Sequence, residues 1–96
     1  MRNSAPTALG NAIVSVLERL GLAKKLRRYE VLELWPSIVG ERIAEVSSAE
    51  RLVGGKLFVR VDKAAWRNEL MFLKEELIAK INATMKEDVV TEIVFR

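Results

Sequence analysis

The spacing of apolar positions changes within Gly55 to Leu70, GKLFVRVDKAAWRNEL. Leu57, Val59 and Val61 alternate with Phe58 and Arg60, a two-residue period that predicts a strand with one buried face. Beyond it, Trp66, Leu70, Leu73, Leu77 and Ile81 recur at intervals of three or four, one face of a helix of about five turns or more, ending near Thr84 or Lys86. Asp62 lies between the two patterns. Its carboxylate is placed to accept from the free N–H groups of the first helical turn, so it is read as the N-cap. A helix with such a stripe needs a sheet to cover.

The preceding chain predicts two helices. Leu9, Ile13, Val16, Leu17 and Leu20 form the stripe of the first, with Ser4 or Thr7 as its cap, Pro6 at its start and Gly21 as its stop. Leu32, Trp35, Val39, Ile43 and Val46 stay in phase across Pro36, which predicts one kinked helix or two short coaxial ones. Gly40 inside this pattern is assigned to the close approach of another backbone. Ser47 to Glu50 reads as a polar connector. Arg51–Val53 and Lys56–Asp62 read as strands around a Gly54-Gly55 turn. Val89 to Phe95 is the last strand, with Val89, Ile93 and Phe95 on one face and Val90 and Val94 on the other. Apolar residues on both faces predict an interior strand, or one whose second face is used by a partner. The order α-α-β-β-α-β gives an α+β fold of two layers, a three-stranded sheet with helices on one face, as a single domain over residues 1–96. Half the residues are apolar, enough for one core at this length.

The chain has neither cysteine nor histidine, which removes disulfides, thiolate nucleophiles, the usual zinc ligand sets and the commonest general base. Glu41 and Glu45, and Glu69, Glu75 and Glu76, read as solvated helix faces. Gly54-Gly55-Lys56 joins two strands and opens no helix, so it is not a phosphate loop. No enzyme, cofactor or metal site is expected. No stretch has the length of a membrane span, and the start MRNSAPT has no apolar signal core, so a cytoplasmic protein is expected.

The charge is unevenly distributed. Residues 1–67 carry twelve Lys or Arg against seven Asp or Glu, while residues 68–96 carry four against six. One basic cluster is Lys24, Lys25, Arg27 and Arg28; a second is Arg51, Lys56, Arg60, Lys63 and Arg67. Such density can neutralise phosphates and release their counterions. A soluble surface is the plainer reading, since 30% of the chain is charged. Phe58 and Arg60 share the strand face opposite Leu57, Val59 and Val61, where an uncovered Phe could stack a base. Trp35 and Trp66 lie on apolar stripes and are read as core residues.

Leu34 to Asn82 also resembles the DciA-like family of small bacterial proteins. The matching features are Trp35 followed by Ile38-Val39-Gly40, then Ile43-Ala44, a glycine before Leu57-x-Val59-x-Val61, the Trp66 to Leu70 segment leading into a helix that ends near Ile81-Asn82, and the terminal Ile93-x-Phe95. The likeness covers roughly residues 8–96. It implies a KH-like module and a role with the replicative DNA helicase, a hexameric ring that DciA proteins bind and help to load on single-stranded DNA; DciA proteins also bind DNA. Family members with the loading role commonly carry an additional extended segment, and these 96 residues are little more than the module. The chain also lacks the Gly-x-x-Gly loop with which KH domains clamp a nucleic-acid backbone, so any such contact must use the basic surface and the sheet.

The leading expectation is therefore a DNA-replication accessory protein that binds the helicase and, weakly, single-stranded DNA. An RNA-binding module and a structural interaction module that pairs through the last strand are the alternatives. The sequence leaves the oligomeric state open.

Overall fold

The structure, a computed structural model, describes residues 4–96, and the side chains of residues 10–16 and 18–96. Its elements are α1 Ser4–Leu20, α2 Leu22–Val39, α3 Glu41–Ala44, β1 Ser47–Val53, β2 Lys56–Val61, α4 Ala64–Phe72, α5 Lys74–Met85 and β3 Glu92–Phe95. The caps expected at Ser4 or Thr7 fall outside the described side chains.

β2 is the centre of the sheet, antiparallel to β1 and parallel to β3. The alternation in β2 is as the sequence reads: Leu57, Val59 and Val61 are buried, Lys56 and Arg60 exposed. The inward residues form one core with Val31, Trp35, Leu52, Leu70, Leu77, Ile81, Val90 and Ile93. Ordered this way, the sheet presents one face to the helices and, among the described residues, leaves the other uncovered.

β3 is an edge strand, not an interior one. Its expected second apolar face does not form because Val90 precedes the strand and turns into the core. Asn82, near the end of α5, holds that turn: its Oδ1 accepts from the N–H groups of Val89 (3.1 Å) and Val90 (3.0 Å), and its Nδ2 donates to the Val90 carbonyl at 2.9 Å. Asn82→Ala leaves these half-buried backbone groups without partners, an expected loss of about 1–3 kcal/mol, measurable by urea unfolding. A loss below a few tenths would show that water replaces the amide.

Three further expectations change. Ser47 to Glu50 is strand, because Ser47 and Ala49 face inward opposite Val61 and Val59, with an irregularity in register between Ala49 and Arg51. The helix after β2 breaks at Leu73, whose N–H turns back to the Leu70 carbonyl at 3.0 Å. Trp66, Leu70, Leu73, Leu77 and Ile81 still share the inner face, while Met71 and Phe72 project at the corner, Phe72 being 87% exposed. The N-cap position is Lys63; the Asp62 carboxylate instead takes Arg60 Nη1 at 2.7 Å.

Pro36 lies inside α2, and the helix ends at Gly40. A Cβ at Gly40 would meet nothing within 4 Å, so close approach is not the reason for the glycine. Its φ of 87° is, since an L side chain is strained there. Gly21 ends α1, as read. α1 packs along α2 and leaves Ile13, Val14, Val16 and Leu20 exposed. The radius of gyration, 16.5 Å, exceeds the roughly 12–13 Å of a compact chain of this length, and α1 extends the long axis to 55 Å.

Candidate nucleic-acid interface

α2 crosses β1 with Trp35 beside Ser47, which sets its first two turns next to the Gly54-Gly55 hairpin. Residues 24, 27 and 28 share one helical face by their spacing of three and four. They line a cleft of about 340 Å³ with Leu52, Gly54, Gly55, Val89 and Thr91. Lys25, one position off this face, is exposed elsewhere and does not line the cleft. Gly55 must be glycine here, since its φ is 82° and a Cβ would stand 2.7 Å from Thr91 Oγ1. The Thr91 N–H donates to the Gly55 carbonyl at 2.8 Å and fixes the hairpin against the start of β3.

Glu87 and Asp88 form the opposite wall. Arg27 Nε lies 3.6 Å from Glu87 Oε1, with both side chains about half exposed. Such a pair is worth about 0–1 kcal/mol, so a phosphate can compete for the guanidinium. Lys24 and Arg28 form no ion pair among the described residues.

The second basic cluster does not assemble as one patch. The register puts Arg51, Lys56 and Arg60 on the outer sheet face, with Phe58 between them. Lys63 stands at the start of α4, and Arg67 Nη1 donates to the Val61 carbonyl at 3.0 Å, tying that helix to β2. Arg60 is engaged by Asp62 at 2.7 Å and Glu50 at 3.6 Å.

Phe58 is half-buried, and its cover is not apolar. The Arg51 guanidinium lies over the ring at 4.4 Å from its centroid, and Arg96 approaches to 5.6 Å. Cation–π contacts at exposed sites are worth about 0.5–1 kcal/mol each. Val94 is the β3 neighbour of Phe58 on this face. Arg96 is the residue that sequence reasoning missed; the two-residue period carried on from Val94 places it on the outer face. Its N–H and carbonyl extend the ladder, donating to Val59 O at 2.9 Å and accepting from Val61 N at 2.7 Å. At the other end of β3, Glu92 accepts from the Ile93 N–H at 2.8 Å and lies 3.2 Å from Lys74 Nζ; the backbone bond first, then the lysine, hold its carboxyl below the usual range.

No helix among the described residues is long and apolar enough to cross a membrane, and none of their His, Cys, Asp or Glu side chains group as a metal site.

A two-layer α+β domain with a basic cleft at one end of its sheet and an arginine-flanked aromatic on the uncovered face defines a small module built around charged surfaces. The chain belongs to the DciA family: the family model described as Dna[CI] antecedent, DciA, matches residues 8–95. A UPF0232 protein of Mycobacterium tuberculosis is 32% identical over 88 residues, covering 92% of this chain and 47% of the relative. UPF0232 proteins of Mycolicibacterium smegmatis and Corynebacterium glutamicum are 28% and 26% identical over 92% and 90% of the chain, and 45% and 48% of their own lengths. The chain thus spans about half the length of these relatives.

Proposed function

We propose that this domain is a DNA-replication accessory module of the cytoplasm that binds the replicative helicase and, weakly, single-stranded DNA, with no catalysis of its own. The helicase part rests on membership of the DciA family. The DNA part rests on one observation, the convergence of Lys24, Arg27 and Arg28 on the cleft beside the glycine hairpin. A strand phosphate there meets two cations outside ion pairs and a third whose carboxylate partner is weakly held. The hairpin glycines lend the cleft room, since neither carries a side chain.

The test is sedimentation of the purified chain with and without the replicative helicase of the source bacterium, at two salt concentrations. A complex at both salts is expected. Failure to co-sediment at either salt removes the helicase from the account and leaves a nucleic-acid module.

A further inference from the structure

The outer sheet face departs from the pattern of a solvent-facing sheet, in which outward positions are polar. Its central residue is Phe58, with Val94 alongside, and neither belongs to the core cluster. What surrounds them is charged. Of the four cations on this face, Arg60 and Arg96 share Glu50, and Arg60 also holds Asp62, whereas Arg51 and Lys56 form no ion pair among the described residues. Glu92, the acid beside Lys56 in the register, is drawn toward Lys74. The two cations without carboxylate partners thus flank the aromatic ring directly, Arg51 as its cross-strand partner and Lys56 two positions before it.

We propose that this face is a base-stacking platform for single-stranded DNA, in which a base takes the face of the Phe58 ring that Arg51 covers and the freed guanidinium pairs with the adjacent phosphate. The proposal rests on the single-stranded DNA reading given above and adds the residue that contacts the bases. Charge and shape both select this occupant. Cations already lie over the ring, with the Arg51 guanidinium carbon 4.4 Å and that of Arg96 5.6 Å from the Phe58 centroid. A guanidinium stacked on a ring is planar and occupies the slot a base would use, so the exchange moves one side chain and leaves the strands in place. The uncommitted cations at Arg51 and Lys56 supply what a phosphate requires and what an apolar partner would leave buried and unpaired. Because every base has a π-face, the platform is tolerant of sequence.

The experiment compares a 12-nucleotide dT strand with a strand of the same length and phosphate number made of abasic sites, bound to the wild-type chain and to Phe58→Leu and Phe58→Tyr, with far-UV circular dichroism confirming that each variant is folded. Wild type is expected to bind the dT strand about five-fold tighter or more than the abasic strand. Phe58→Leu should abolish that preference while keeping the abasic affinity, and Phe58→Tyr should retain it. Equal binding of the two strands by wild type overturns the platform and leaves DNA binding through the cleft intact. Absence of binding to either strand overturns both readings. A dimer in sedimentation that Phe58→Leu dissolves also overturns the platform, by assigning the face to a second copy of the chain.

Discussion

Trp35→Ala is expected to remove about 3–5 kcal/mol of stability, from a total of about 5–14 kcal/mol for a domain of this length. Trp35 is 1% exposed and joins three parts of the core. Its ring lies 6.5 Å from that of Phe95 at the end of β3, its indole Nε1–H donates to Ser47 Oγ at 2.9 Å, and Ser47 Oγ donates to the Ile43 carbonyl at 2.7 Å. Alanine opens a cavity the size of an indole and leaves the buried Ser47 hydroxyl without its donor. Trp35→Phe separates the two effects: it keeps most of the volume and should cost about 1–3 kcal/mol through the unpaired hydroxyl and the residual gap. Urea unfolding followed by far-UV circular dichroism measures both. A Trp35→Ala loss under 1 kcal/mol would mean that α2 can collapse onto the sheet without its central anchor.

The second large effect is on binding. Replacing Lys24, Lys25, Arg27 and Arg28 by alanine should make the dependence of log affinity for single-stranded DNA on log salt shallower by about 2 units, since each phosphate contact contributes about 0.7 and three of the four side chains line the cleft. Lys25→Ala alone is the internal control. Its side chain lies off the cleft, so its slope should remain close to that of the wild type. None of the four is buried, and surface changes of this kind usually stay within about 0.5 kcal/mol each, so the fold should survive. Titration of a labelled strand by fluorescence anisotropy from low to moderate salt reads the slopes. An unchanged slope in the quadruple variant would remove the cleft from DNA binding, and a large change from Lys25 alone would place the contact on the other side of α2.

The faces of the elements were legible because burial follows period. The inward row of β2 and the row from Trp66 to Ile81 both stand where their spacing put them. Axes and ends were less legible. The break at Leu73 leaves the spacing of the inner row unchanged, so periodicity alone could not reveal it. The first half of β1 has the composition of a loop, and its residues are strand formers only in context: Ser47 is buried because Trp35 and the Ile43 carbonyl satisfy its hydroxyl. The stripe of α1 read as a core face, yet Ile13, Val16 and Leu20 remain exposed because, among the described residues, α1 packs chiefly on α2.

The candidate site was legible in part for the same reason. Helical spacing groups Lys24, Arg27 and Arg28 on one face, whereas the second cluster was adjacent only in sequence and divides between the sheet face and α4. Arg96 was invisible as a partner of Phe58, because the parallel pairing that brings β3 alongside β2 cannot be read from either strand alone.

The position of β2 between a near and a distant partner also sets the order in which the sheet can form. β1 reaches it through two residues, a hairpin that closes on a timescale of about 1–10 μs. β3 reaches it across the 30 residues between Val61 and Glu92, a loop whose closure costs about 2 kcal/mol more in chain entropy and gains nothing until α4 and α5 are in place. Within the sheet, the Arg51–Phe58 half of the outer face is therefore expected to form before the Arg96 half.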